Sequence, residues 1–361
     1  MSNEEFVKVA TTNDIQSSQM KSFQVNGEEV CIANIDGKYY AINNTCTHEG
    51  GPLADGVLEG YEVECPWHQS RFDMRTGQVT DPPASEPEQV YELRVDGNNI
   101  LIRKSVESTQ TQREQKPQIE LTLLEKQKIE GTDVMSFKFD KGSLQHKAGQ
   151  YAYFDIGGVY NDPKGPIRHF TIASSPTENF ILMSTRIRDS PYKKRLASLE
   201  IGVKVKVRGP EGKFVLHDDY SKPAIFLSGG IGVTPFRSMI KYSTDSLLPF
   251  KITMFDSNRN QENILFKNEF DDCANTNKNL KIVYAVTDEG EGQASNSEDW
   301  KGERSRINKG MMTKYVSQDE LDRALFYVCG PPTMLNAMKQ ILKDELKVSE
   351  ERIKTEEFTG Y

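Results

Sequence analysis

Two short stretches constrain this chain more than anything else in it: Cys46-Thr47-His48 and, after 16 intervening residues, Cys65-Pro66-Trp67-His68. Each offers one thiolate and one imidazole, and each has its own turn formers, Gly50-Gly51-Pro52 for the first and Pro66 for the second. Cys46, His48, Cys65 and His68 are therefore candidate metal ligands, carried on two loops that the fold has to bring together. Two cysteines and two histidines can hold zinc tetrahedrally. Zinc pairs, however, usually come as two close cysteines and two close histidines, not as two mixed clips.

The spacing Cys-x-His…Cys-x-x-His resembles the Rieske [2Fe–2S] centre, in which two cysteines bind one iron and two histidines the other. The stretch that follows, Gln69-Ser70-Arg71-Phe72-Asp73, then Thr76-Gly77 and Pro82-Pro83-Ala84, is similar to the Rieske ferredoxins of oxygenase systems. Respiratory Rieske domains carry one more cysteine in each loop, and those two form a disulfide. Gly51 and Trp67 stand at those positions here, so the resemblance implies the low-potential, ferredoxin-like branch. Gln69 stands where the family usually has glycine, and a side chain there bears on hydrogen bonding to the cluster.

Composition sets the frame around that motif. A chain of 361 residues suits two or three domains. With 45 basic and 53 acidic side chains the net charge is −8, which argues against a nucleic-acid or anionic-membrane surface. Five scattered cysteines are too few for a disulfide scaffold. The start, MSNEEFVKVA, lacks the pattern of a signal peptide, and nowhere do about 18 apolar residues run together. A cytoplasmic protein with no nucleic-acid partner and no membrane insertion is expected.

The first hundred residues read as β-structure, with hairpin dipeptides at Asn26-Gly27, Asp36-Gly37 and Asp96-Gly97. From residue 103 to 118 large apolar residues all but vanish, as in a linker. A second β-rich block follows, and then strands alternate with helical stretches, which predicts βαβ units on a parallel sheet. The expected fold is multidomain. An all-β domain spans 1–104, a linker 105–118, an antiparallel β-barrel 119–220 and an α/β parallel-sheet domain 221–361. Residues 289–297 read as a surface loop, and the charged run 339–357 as a solvated helix face.

Arg168-His169-Phe170-Thr171-Ile172-Ala173-Ser174-Ser175-Pro176 resembles the Arg-x-Tyr/Phe-Ser/Thr segment of ferredoxin-NADP-reductase-like flavoproteins. The resemblance implies that Arg168 pairs with flavin phosphate while the short Thr171 hydroxyl lies against the isoalloxazine edge. His169 and Phe170 flank them. His169 alternates to the opposite strand face from Arg168 and Phe170 and is not expected to be catalytic. Ser190 and Lys193 sit where the family starts a short helix facing the pyrophosphate, although no glycine precedes Ser190 here.

A buried-type strand, Ala224-Ile225-Phe226-Leu227, runs into Ser228-Gly229-Gly230-Ile231-Gly232-Val233-Thr234-Pro235. Glycines at 229, 230 and 232 let backbone approach a pyrophosphate, Thr234 can cap a helix, and Pro235 suits its first turn. A hundred residues on, Cys329-Gly330-Pro331-Pro332 resembles the family turn beside the nicotinamide. The resemblance makes Cys329, with Thr171, a catalytic candidate, and Gly330 and Pro331 binding candidates. The C-terminal Phe358, near Tyr361, matches an aromatic that shields the flavin in this family. At the next strand end Asp256 could accept ribose hydroxyls and Arg259 could bind a 2′-phosphate; NADH is expected, with NADPH the alternative.

Nicotinamide gives electrons in pairs, a [2Fe–2S] cluster takes them singly, and a flavin converts between the two. The expected order is NAD(P)H, flavin, Rieske cluster, external acceptor protein, with FAD favoured over FMN by resemblance alone. An oxygenase is the kind of acceptor the resemblance suggests. Reverse flow to NAD⁺ uses the same residues, and a non-catalytic redox-responsive regulator with vestigial sites is a further alternative. A self-contained oxygenase is not: beyond His68 only His146, His169 and His217 remain, with no close helical pair for a mononuclear iron.

Overall fold

The computed structural model describes residues 6–48, 50–67, 69–81, 84, 86–104, 118–160, 162, 166–287 and 300–358. The chain divides into two compact units, Met1–Gln115 and Lys116–Tyr361. Of the expected linker only Gln118 lies among the described residues, and the expected 289–297 loop lies outside them.

The first unit is all β. Strands β1 (Val7–Thr11), β2 (Gln19–Val25), β3 (Glu28–Ile35) and β4 (Lys38–Asn43) are followed by four short strands. These are β5 (Val57–Glu59), β6 (Glu62–Glu64), β7 (Arg71–Asp73) and β8 (Val79–Asp81); β9 (Val90–Asp96) and β10 (Asn99–Lys104) complete the unit. The long strands form one sheet in the order β1-β10-β9-β4-β3-β2, and the short ones a second, β5-β6-β7-β8. Asn26-Gly27 and Asp36-Gly37 hold positive φ at both positions, the twist that a two-residue hairpin needs. The short sheet and β3–β4 share an apolar cluster of Cys31, Ile42, Leu53, Val63 and Phe72, and it includes Cys46 and Cys65.

The second unit opens with strands β11 (Ile119–Lys128), β12 (Val134–Asp140), β13 (Tyr151–Asp155), β14 (Ile167–Thr171) and β15 (Phe180–Arg186). Helix α1 (Pro191–Ser198) and β16 (Lys204–Glu211) follow. The order β14-β13-β16-β11-β12-β15 makes a nearly closed antiparallel barrel. Of the closing stretch 202–216 only β16 is a strand.

The chain then alternates β17 (Ala224–Gly229), α2 (Thr234–Asp245), β18 (Ile252–Asn258), α3 (Lys267–Thr276) and β19 (Leu280–Val286). After α4 (Lys309–Tyr315) and α5 (Gln318–Arg323) come β20 (Leu325–Gly330), α6 (Pro332–Gln340) and β21 (Ile353–Glu357). The five strands are parallel in the order β19-β18-β17-β20-β21. Strand β17 is buried along its whole length, as a central parallel strand must be. Its neighbours β18 and β20 lead away in opposite directions, so a crevice opens at the carboxyl end of β17. The run 339–357 is not one solvated helix: α6 stops at Gln340, a π turn covers Ile341–Glu345, and β21 pairs with β20.

Candidate functional site

In the first unit the two cysteine loops are built alike. The Cys46 amide donates to the Gly51 carbonyl at 2.9 Å and the Gly50 amide returns to the Cys46 carbonyl at 2.8 Å. The Cys65 amide donates to the Ser70 carbonyl at 2.8 Å and the Gln69 amide to the Cys65 carbonyl at 3.0 Å. Gln69 takes a left-handed φ of 63°, which is why glycine suits that position. A Cβ on Gly51 would fall 2.7 Å from Cys65 Sγ and 3.1 Å from the Trp67 ring, so only glycine lets the loops close. Both cysteines are buried, and the two thiols share a hydrogen bond. That bond and burial push the Cys46 thiol up, while the His48 amide also reaches its sulfur.

Two adjacent buried thiols ionise together only where positive charge faces them, so this donor set fits a metal centre. His48 is partly exposed yet keeps Nδ1 sealed from solvent. All five cysteines are free thiols, and Gly51 and Trp67 leave no loop staple. Beside the first loop, Glu88 accepts the Thr47 amide at 2.7 Å, and burial pushes its carboxyl up to about 7. His68 and Pro82-Pro83 lie outside the described residues.

In the second unit the Arg168 segment lies on β14, the barrel's edge strand. Thr171 is 5% exposed, and its Oγ1 is buried without a hydrogen-bond partner among the described residues. An orphaned hydroxyl at this strand end fits a missing polar neighbour such as a flavin edge. His169, on the same strand face as Thr171, lies between the rings of Tyr151 (5.3 Å) and Tyr153 (5.8 Å). Phe170 packs with Phe154 and Tyr192. Arg168 pairs with Asp162 and stands 5.3 Å over the Tyr192 ring. Ser190 caps α1, accepting the Lys193 amide at 3.2 Å, and the Lys193 ammonium lies 4.7 Å over Phe170.

The glycine loop of β17 is a 3₁₀ turn, Gly230–Val233, before α2. Two of its glycines serve contact between loops. A Cβ on Gly232 would lie 2.4 Å from the Cys329 carbonyl oxygen, and one on Gly229 would lie 2.2 Å from Met334 Sδ. Gly230 alone has positive φ, 56°, and faces Arg186. Thr234 does not cap α2: it is the first helical residue, and its hydroxyl bonds back to the Ile231 carbonyl at 3.1 Å. The glycine loop and the Cys329-Gly330-Pro331 turn thus touch, as two walls of one crevice. Cys329 is fully buried, which pushes its thiol well up, with Glu356 adding to the effect. Phe358 donates its amide to the Gly330 carbonyl at 3.2 Å and packs on the cluster that includes Cys329 and Ile231; Tyr361 lies outside the described residues.

Asp256 does not face a ribose. It is fully buried, takes a bond from Asn258 Nδ2 at 2.8 Å, and burial pushes its carboxyl up to about 7. Its strand register puts it beside Ser228 and Tyr284, in the row above Phe226 and Met254, on the face that packs under α2 and α3. Arg259 is exposed. The acidic reason for preferring NADH therefore falls away.

Sequence reasoning missed the residues that lock the barrel to the sheet. Arg237, on α2 and 5% exposed, bonds the Ala173 carbonyl at 2.9 Å and pairs with Glu178 (2.9 Å) and Glu269 (2.6 Å). Ser238 Oγ donates to the Ser174 carbonyl at 2.6 Å, and His146 Nε2 meets the same carbonyl at 3.0 Å. No short-range sequence pattern marks Arg237, because the Ala173 carbonyl and Glu178 lie 64 and 59 residues away. These bonds hold the Thr171 strand end against the crevice.

Residues 5–96 match the Rieske [2Fe-2S] domain family, and residues 226–340 match the oxidoreductase NAD-binding domain family. A ferredoxin component of naphthalene 1,2-dioxygenase/salicylate 5-hydroxylase systems from a Ralstonia species is 33% identical over 98 residues. That alignment covers 94% of the relative but 27% of this chain. Among solved structures, a cytochrome P450 reductase from Amycolatopsis aligns with TM-score 0.56 and 20% identity over 78% of this chain and 77% of its own. The ferredoxin reductase in carbazole 1,9a-dioxygenase aligns with TM-score 0.55 and 17% identity, over 67% of this chain and 69% of its own. Both likenesses are of fold.

Proposed function

This chain belongs to the Rieske ferredoxin family and continues into an NAD-binding oxidoreductase domain, and from that premise we propose that it is a self-contained electron-transfer reductase. NAD(P)H delivers electrons, FAD in the barrel and then the Rieske cluster carry them, and an external acceptor protein such as an oxygenase receives them. The observation that carries this reading is the presence, in one chain, of a paired cysteine–histidine loop site and a nicotinamide-nucleotide domain. A bound flavin takes electrons in pairs and releases them singly, which links a two-electron donor to a one-electron cluster.

Each part of the chain has a role in this reading. Cys46 and Cys65 hold one iron and His48 and His68 the other, with the Glu88–Thr47 bond fixing the first loop. Arg168, Ser190 and Lys193 receive the flavin phosphates, and Phe170 and Thr171 meet the ring. Gly229, Gly230, Gly232, Thr234, Gly330 and Pro331 shape the nicotinamide crevice. Cys329, under Phe358, faces the place of electron exchange once Phe358 moves. The domains are assigned as 1–104, 119–220 and 221–361 about a linker at 105–118. A reducing cytoplasm fits five buried free thiols.

The purified chain is expected to be brown-yellow and to contain iron, labile sulfide and flavin in the ratio two, two and one. Its cluster potential should fall in the lower part of the roughly −150 to +300 mV Rieske range. Zinc without labile sulfide would overturn the cluster assignment.

A further inference from the structure

The first turn of α1 has already spent the donors that a phosphate would use. Pro191 has no N–H, the Tyr192 amide donates to Asp162 Oδ2 at 2.9 Å, and the Lys193 amide donates to Ser190 Oγ at 3.2 Å. The Lys194 amide closes on the Ser190 carbonyl at 3.0 Å. Arg168 gives one terminal nitrogen to Asp162 Oδ1 and the other to the Ile167 carbonyl at 3.1 Å. One carboxylate thus bridges a helix-start amide and a guanidinium. That pairing of partial and full positive charge is what binds a phosphate oxygen at a helix start. The Asp162 side chain is 1% exposed, against 16% for Arg168, so the carboxylate fills the slot rather than rimming it.

We propose that Asp162 is an internal occupant of the flavin-phosphate position, so that the chain loads FAD by exchanging its own carboxylate for a diphosphate oxygen. The inference rests on the reading of the barrel as the flavin domain and adds to it a competitor built into the chain. Two anions cannot share one guanidinium and one amide at contact distance without strong repulsion. A diphosphate carries more charge and more acceptor oxygens than a carboxylate, so it can win the slot, with its affinity lowered by the exchange. In return the flavin-free chain keeps Arg168 and the α1 amide satisfied, neither being left buried and bare. The chain therefore tolerates the loss of its flavin, and its flavin affinity is set by the difference between two anions.

The test uses the full-length chain freed of flavin, as wild type, Asp162→Asn and Asp162→Ala, titrated with FAD by fluorescence quenching and melted without flavin. Exchange predicts opposite signs. Both variants melt at a lower temperature than wild type without flavin, because Arg168 loses its partner, yet bind FAD about threefold or more tightly. Inorganic pyrophosphate, which has the charge and lacks the ring, should raise the melting temperature of the variants more than that of wild type. If the variants bind FAD as weakly as wild type or more weakly, Asp162 holds Arg168 in place for the phosphate, and the exchange is wrong. A wild-type chain that takes up no FAD overturns instead the reading of the barrel on which the exchange rests.

Discussion

Asp256 shows what a single buried carboxyl costs. Burial moves it from the ordinary aspartate range up to about 7, and a shift of that size corresponds to about 4 kcal/mol. Because the folded-state value is the higher one, the sign is fixed. Below about pH 4 both states are protonated and nothing is lost. As pH rises toward 7 the unfolded chain ionises first, stability falls, and above 7 the full cost is present. Asp256→Asn keeps an oxygen for Asn258 Nδ2 and removes the charge. The difference in unfolding free energy between variant and wild type should therefore grow from near zero at about pH 4 to as much as about 4 kcal/mol in the variant's favour at about pH 8. Urea titrations across that range check it. A difference that does not change with pH would mean that Asp256 is solvated or already paired.

At the scale of elements, the crevice depends on how closely β17 and β20 end beside each other. Gly232 is the point of contact, and what a methyl group would meet there is backbone, the Cys329 carbonyl and the Gly330 Cα. Backbone cannot swing aside as a side chain can. Gly232→Ala is expected to cost about 1–3 kcal/mol by overpacking and to raise the KM for NAD(P)H as the two loops part. Unchanged stability and KM would mean that the loops yield freely.

The same elements show where sequence reading reached and where it stopped. The cysteine–histidine clips and the glycine loop were legible because their chemistry demands particular residues at short, fixed spacing. Asp256 was misread because strand register, not residue type, decides which face a side chain takes. Thr234 was misread because a 3₁₀ turn precedes α2 and moves the helix start onto it. Glu88, Arg237 and Asp162 were not legible as site residues. Glu88 meets its partner Thr47 41 residues away, and Arg237 meets Glu178 59 residues away. Asp162 lies only six residues from Arg168, but its burial is made by α1, which arrives later in the chain.

At the scale of the whole molecule, the two compact units each have their own apolar clusters, so a lesion in one should leave the other folded. That independence allows the proposed order of electron flow to be cut at one point. Cys65→Ser removes one thiolate from the Rieske loops and changes no residue of the second unit. With NADH or NADPH as donor, ferricyanide is expected to take electrons directly from the flavin, and a one-electron protein acceptor to take them from the cluster. The decisive measurement is the rate of both reductions in Cys65→Ser against wild type. Ferricyanide reduction is predicted to stay within about twofold of wild type while protein-acceptor reduction falls to background. Protein-acceptor reduction that survives the substitution would show that electrons leave from the flavin and bypass the cluster, contradicting the proposed path.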